Sequence, residues 1–290
     1  MNIKTALVIA FAFIVVTACI SIIYPVVAPT GIAVILVVLA TVAVTTAMHF
    51  NKALWMLRDG QARIQSRDEK YDAATVAAVD VNAVLAVRER FPGLQIPTST
   101  WSMTFPNLLL LINVLDTYRP RNVVEFGSGI STLCVASWLK EAGRGNLLSV
   151  DHDPEWAEIT TRHLGKRGCD AIANVIVTPL NEQSYFGKKV NWYDLESHLS
   201  SIGDDVDLVI VDGPPNGSKG AGYARIPAIE ALAGKLAPDA IIVLDDAARE
   251  GETKIFEAWE ERYGILQATR VNTGTGFAVI KLAAAPFSSS

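Results

Sequence analysis

Short apolar runs in this 290-residue chain end, one after another, in residues able to bind a ligand or do chemistry. Asn122–Phe126, which carries Glu125, is followed by Gly127, Ser128 and Gly129, and Asn146–Val150 by Asp151. Asp207–Val211 is followed by Asp212, and Ala240–Leu244 by Asp245 and Asp246. Glycines let a backbone approach a ligand closely, and a helix starting just after them, here from Ser131, offers unpaired N–H groups to an anionic group. Asp151 stands 24 residues after Gly127, at the end of the next run, where a carboxylate can take both hydroxyls of a ribose.

The elements that must position these residues alternate. Strands are expected over Asn122–Phe126, Asn146–Val150, Ile172–Val177, Asp207–Val211 and Ala240–Leu244, and helices over Ser131–Glu141, Pro154–Lys166 and about Arg249–Glu261. Asp153 reads as the cap of the second helix, with Pro154 as its first residue. Continuous Val, Ile and Leu runs of this length suit a parallel sheet covered on both faces, and the alternation predicts a doubly wound, Rossmann-like α/β fold. Ligands of such sheets bind beyond the carboxyl ends of the strands. Leu266–Val271 and Phe277–Leu282, joined by Asn272–Gly276, break the alternation and predict an antiparallel hairpin.

A lone Gly-x-Gly with a downstream acid fits either NAD or S-adenosylmethionine. The third glycine of a dinucleotide fingerprint is replaced by Thr132. Glu125 would repel a pyrophosphate but could face the amino end of a methionine moiety. The strand carrying Asp212 and the terminal hairpin also speak against an NAD-dependent oxidoreductase.

Val123–Thr132, Ser149–Asp153, Val209–Pro215 and Leu244–Arg249 together resemble the ordered motifs of class I S-adenosylmethionine-dependent methyltransferases, in particular bacterial methyltransferase domain family 24. The resemblance spans about Thr98 to Leu282 and implies a seven-stranded sheet ending in an antiparallel hairpin. It implies that Glu125, Gly127, Ser128, Gly129 and Ser131 hold the methionine end of S-adenosylmethionine, Asp151 the ribose, and His152 the adenine edge. Trp101 and Ser102 would close over the cofactor, unless Trp101 only packs. More distantly, the chain is similar to catechol O-methyltransferase-like enzymes. That likeness implies Mg²⁺ or another divalent cation held by Asp212, Asp245 and Asp246, with Asp212 also catalytic. Asp246 stands where that family has Asn, and Gly213-Pro214-Pro215-Asn216 replaces an expected Lys. The competing reading is that Asp245 or Asp246 caps the following helix and pairs with Arg249. The insertion Asn181–Gly203, with Tyr185, Trp192, Tyr193 and His198, reads as a lid or acceptor wall, or as packing.

Half of the residues are hydrophobic and 19% charged, which excludes disorder as the main state, and a net charge of −5 argues against a nucleic-acid partner. Residues 5–48 carry no charged side chain, a run of about 66 Å as one helix, so it must turn, at Pro25, Pro29 and Gly31. Two transmembrane helices over about 5–24 and 32–50 are expected. Lys4, Lys52, Arg58 and Arg63 place both ends and the catalytic domain on the cytoplasmic side of the inner membrane. A cleaved leader is the weaker alternative, despite a lipoprotein-like box at Val16–Cys19. Cys19, Cys134 and Cys169 have no metal spacing and suit a reducing compartment. The expected organisation is a membrane hairpin over 1–50, a helical connector over 51–95 able to pair two copies, a methyltransferase domain over 96–286 and a tail over 287–290. Val76, Val79, Val84 and Val87 would pack the end of the connector on the domain. The function expected is O-methylation of a small-molecule or lipid-linked acceptor; the rival from another class is a non-catalytic membrane scaffold.

Overall fold

The computed structural model describes residues 78–94, 99, 101–215, 222–232 and 234–283, together with Val15, Leu39, Val42, Thr45 and Thr46, each of which is helical. The chain divides into two units, Met1–Ala73 and Ala74–Ser290, and every element named below belongs to the second. The two apolar helices expected over 5–24 and 32–50 lie, apart from those five residues, outside the described residues. Among the described residues no helix is long and apolar enough to cross a membrane.

In chain order the second unit contains α1 (78–90), α2 (Phe105–Tyr118), β1 (Asn122–Phe126), α3 (Ile130–Ala142), β2 (Asn146–Asp151) and α4 (Pro154–Lys166). Then come β3 (Ala173–Val177), β4 (Leu180–Tyr185), β5 (Lys188–Tyr193), β6 (Val206–Val211), β7 (Leu236–Asp245), α5 (Glu250–Tyr263), β8 (Ile265–Val271) and β9 (Phe277–Leu282). The main sheet has seven strands in the order β3-β2-β1-β6-β7-β9-β8. β1, β2, β3, β6 and β7 are mutually parallel, and β9 runs antiparallel to both β7 and β8. This is the Rossmann-like fold with a terminal hairpin that the alternation predicts.

Its strands are apolar on both faces because each face has its own core. Val124, Val209, Val211, Ile242 and Leu244 pack on one side, with Trp192, Tyr193 and Trp259. Val123, Leu208, Ile210, Ile241 and Val243 pack on the other, with Val87, Phe91 and residues of α2 and α3. Neighbours along a strand thus enter opposite cores, as the two-residue period of a strand requires. α1 contributes Ala83 and Val87, and Phe91 just past its end continues the spacing of four, while Val79 is half exposed. The packing stripe therefore differs from the expected valine series, of which Val87 alone is fully buried among the described residues.

Three features position the site. The chain winds from β1 outward to β3 and then returns to β6, so the sheet reverses between β1 and β6, the place where such folds bind ligands. α4 starts where Asp153 accepts hydrogen bonds from the N–H groups of Glu155 and Trp156, with Pro154 in the first turn. The insertion read as a lid is a separate β4–β5 ribbon, whose turn residues Phe186 and Gly187 have φ of 51° and 72°. It drives Trp192 and Tyr193 into the core against Phe126, at ring-centroid distances of 4.8 and 5.7 Å. Packing is therefore the role of Trp192, and His198 sits in a separate 3-10 turn, away from the cleft.

Candidate active site

A cleft of about 330 Å³ opens at the carboxyl ends of β1, β2, β6 and β7. Of the residues singled out from sequence, Trp101, Ser102, Gly127, Ser128, Asp151, His152, Asp212, Asp245 and Asp246 line it, and so does Tyr193 of the insertion read as a lid or acceptor wall. Glu125, Gly129 and Ser131 do not.

The floor is a contact between two glycines. Gly127 has φ of +94°, and a Cβ there would lie 2.9 Å from the Gly213 nitrogen. A Cβ on Gly213 would come within 2.4 Å of the Tyr193 hydroxyl and 3.0 Å of the Gly127 Cα. The N–H groups of Asp212 and Gly213 both donate to the Phe126 carbonyl, at 3.0 and 2.6 Å, which ties the end of β6 to the end of β1. Gly213 is thus the residue that lets the two strand ends meet.

Beside this floor, the Ser128 amide and hydroxyl both donate to Asp151 Oδ2, at 2.8 and 2.5 Å, and the Asp153 amide donates to Oδ1 at 3.0 Å. His152 Nδ1 lies 3.4 Å from Oδ1. Burial would raise the Asp151 pKa, but these donors outweigh it and hold the carboxyl below its ordinary value. Trp156, at the start of α4, donates from Nε1 to the Ser128 carbonyl at 2.8 Å and stands against Gly129.

Glu125 lies beneath the loop and is fully buried. Its Oε2 accepts from Thr132 at 2.5 Å and Ser149 at 2.7 Å, while Thr132 Oγ1 accepts the Gly129 amide at 2.8 Å. The threonine in place of a third glycine therefore connects the loop to the buried acid. Burial pushes the Glu125 pKa up to about 7, against the hydrogen bonds that lower it. Its place is support of the loop from below, whereas the sequence reading has it facing a ligand.

The opposite end of the cleft gathers Asp212, Asp245 and Asp246, with one carboxylate oxygen from each within 4.8 Å of the others. Burial pushes Asp212 up to about 6, opposed by Arg225, and pushes Asp245 well above the carboxylate range. Two carboxylates this close in a buried setting resist ionising together, and Asp245 holds its proton more tightly than Asp212. Asn107, fully buried on α2, donates to Asp245 Oδ1 at 2.5 Å and to the Gly276 carbonyl at 3.1 Å, and the Thr273 hydroxyl donates to Asn107.

The spacing of the three carboxylates would suit a hard cation, but the charge already there does not. Arg225, 3% exposed, sets Nη2 3.2 Å from Asp246 Oδ2 and 3.8 Å from Asp212 Oδ1. Its Nη1 donates to the Asp245 carbonyl at 3.0 Å and its Nε to the Pro214 carbonyl at 3.4 Å. Arg249 Nη1 adds a second contact to Asp246 Oδ2 at 2.7 Å, which realises the expected pairing. With a fixed guanidinium on two of the three carboxylates, the residues do not fit a divalent ion.

Residues 124–247 match a family model described as a methyltransferase domain. The segment is a methyltransferase domain. It contains lining residues from both ends of the cleft, from Gly127 to Asp246. Comparison with the curated proteins returns no match. Among solved structures, the chain is similar to the S-adenosylhomocysteine-bound methyltransferase PaMTH1 of Podospora anserina, at 15% identity over 70% of this chain and 87% of that one, with a TM-score of 0.49. A Geobacter sulfurreducens methyltransferase matches at 19% identity over 71% and 89%, with a TM-score of 0.44. The O-methyltransferase TomG of Streptomyces achromogenes, in complex with S-adenosylmethionine, matches at 18% over 71% and 88%, also with a TM-score of 0.44.

The site also uses residues that sequence reasoning missed. Asn107 gives no signal in the sequence. Trp156 stands in the first turn of a helix whose cap was legible. Arg225 stands alone before the short apolar stretch Ile226–Ile229, a weak hint that its charge is buried.

Proposed function

We propose that the chain is an S-adenosylmethionine-dependent O-methyltransferase, with the methyl donor at the Gly127–Asp151 end of the cleft and the acceptor at the Asp212 end. The observation that carries this reading is one cleft joining the Ser128–Asp151 cradle to the partly buried carboxylate of Asp212. S-adenosylmethionine supplies an electrophilic methyl group on a sulfonium. Gly127 and Gly213 leave room for it on the floor. Asp151, held ionised by its donors, can accept from the two ribose hydroxyls, and His152 lies beside it for the adenine edge. Exposed Trp101 stands at the mouth.

Asp212 then has one task. An acceptor hydroxyl held beside Asp212 would pass its proton to that carboxylate as its oxygen takes the methyl group and the sulfur leaves with the electron pair of the broken carbon–sulfur bond. A carboxylate raised to about 6 is still ionised at neutral pH and is a stronger base than an ordinary aspartate. Positioning supplies most of the rate. The apolar segments 5–24 and 32–50 would anchor the enzyme in the inner membrane with the domain on the cytoplasmic side, and a lipid-linked acceptor follows from that placement.

The test is calorimetric titration of the full chain in detergent with S-adenosylmethionine, alongside Asp151→Ala. Micromolar binding that the substitution weakens by roughly tenfold or more is expected. Transfer of labelled methyl to a membrane extract should fall sharply in Asp212→Asn while donor binding persists. A folded chain that does not bind the donor would remove this reading. Binding with no transfer to any extract would favour the scaffold.

A further inference from the structure

The acceptor end poses a problem that the proposed reaction does not need solved but the protein must solve. Asp212, Asp245, Asp246 and Glu252 converge on one buried region, and a divalent ion is the usual means of holding so many carboxylates together. We propose that the guanidinium of Arg225 takes the place of that ion, so that the Asp212–Asp245–Asp246 cluster is assembled and works without metal. The proposal deepens the reading of the site given above and rests on it for the role of Asp212.

Three observations carry it. Arg225 Nη2 stands between the two carboxylates an ion would bridge, 3.2 Å from Asp246 and 3.8 Å from Asp212. A cation bonded to both of those oxygens at the roughly 2.0–2.6 Å of Mg²⁺ or Ca²⁺ would meet the guanidinium at close range in a buried setting. Arg225 also cannot swing aside as a surface arginine would. Its Nη1 is on the Asp245 carbonyl and 3.6 Å from Glu252, its Nε is on Pro214, and the side chain is 3% exposed. The segment after it is fixed as well: Ile226, Ala228, Ile229 and Leu232 are fully buried, and Trp259 Nε1 donates to the Ile226 carbonyl at 2.9 Å. Finally, one oxygen on each of two carboxylates is already used. Asp246 Oδ2 also holds Arg249, and Asp245 Oδ1 holds Asn107. A planar guanidinium is permanently charged and can bridge several oxygens at once, which makes arginine the side chain suited to this exchange.

The test is Mn²⁺ binding by the full chain in detergent, read from the electron paramagnetic resonance of free Mn²⁺, with no donor or acceptor present. The wild type should leave the free-ion signal unchanged up to millimolar Mn²⁺. Arg225→Met, which removes the charge and keeps much of the volume, should gain binding, and Asp212→Asn should abolish that gain. Arg225→Lys should bind as little as the wild type. If Arg225→Met does not fold, Arg225→Gln takes its place. Wild-type binding that Asp212→Asn removes would overturn the proposal, and so would charge-free variants that fold yet bind no Mn²⁺. These outcomes do not depend on methyl transfer, so the reaction can be wrong while the exchange of arginine for metal stands.

Discussion

The two ends of the cleft are built in opposite ways. At the Gly127–Asp151 end the bonds join near neighbours in the chain: Thr132 to Glu125 across 7 positions, Ser128 to Asp151 across 23, Trp156 to Ser128 across 28. One strand–helix–strand–helix unit supplies all of them. At the Asp212–Asp246 end Asn107 reaches Asp245 across 138 positions and Gly276 across 169. That end exists only once α2, β7 and the β8–β9 hairpin have met. The first end is a local motif, whereas the second joins pairs as near as Arg225 and Asp246, 21 positions apart, to contacts that span the whole domain.

The largest effect should come where the ends touch. Gly213→Ala places a methyl carbon 2.4 Å from the Tyr193 hydroxyl and 3.0 Å from the Gly127 backbone. Neither the fully buried tyrosine nor the backbone can yield cheaply, so a loss of about 3 kcal/mol or more is expected. Urea denaturation would measure it. Gly203→Ala, whose Cβ meets nothing within 4 Å, should stay within about 0.5 kcal/mol. Equal behaviour of the two variants would show that the glycine contact does not join the ends.

Asn107→Leu should come next and should separate the ends. It strips Asp245 Oδ1 and the Gly276 carbonyl of a buried donor, at about 2–3 kcal/mol. Because nothing at the Gly127 end bonds to Asn107, donor affinity measured by calorimetry on the still-folded variant should be unchanged. A parallel fall in donor affinity would mean that the two ends are coupled.

Glu125→Gln tests the local end through pH. The folded-state pKa of Glu125 is raised from 4.5 to about 7, so the native state holds its proton where the unfolded chain has released it. Between those values the native state binds more protons, and stability falls as pH rises through the window. Glutamine keeps the acceptor for Thr132 and Ser149 but does not ionise. Its stability should therefore be flat across that window, with an advantage on the order of 3 kcal/mol over wild type at pH 8. Matching pH profiles would place the titration elsewhere, with Asp212 and Asp245 the nearest alternatives.

The contrast also explains what was legible. Pro154–Lys166 and Phe277–Leu282 have the bounds expected from their caps and turns, because those signals are local. Glu125, Gly127, Ser128 and Asp151 were found by their spacing along one unit of chain, although spacing could not show that Glu125 lies beneath the loop. α2 was not legible: Phe105–Tyr118 has a run of four leucines with no clear period, and Pro106 resembles a break although it sits harmlessly in the first turn. The β4–β5 ribbon was hidden by its polar first strand, Leu180–Tyr185. Asp212, Asp245 and Asp246 could be aligned to strand ends. Arg225, which decides what they can hold, reaches them from a stretch with no motif.

Trp156→Phe should give the smallest effect and the sharpest reading of the local end. The indole bridges the start of α4 to the Ser128 carbonyl, in the same loop that presents its amide and hydroxyl to Asp151. Phenylalanine keeps much of the aromatic packing against Gly129 and removes one partly buried hydrogen bond, a cost of about 1 kcal/mol. Thermal denaturation would read that as a shift of a few degrees. The cleft end built from β6 and β7 has no bond to Trp156, so the Asp212-dependent step should keep its rate at saturating donor, and only the donor concentration needed for half-maximal rate should rise. A fall in the saturated rate would mean that the indole also sets the position of the methyl group, and the Gly127 end would then govern chemistry as well as binding.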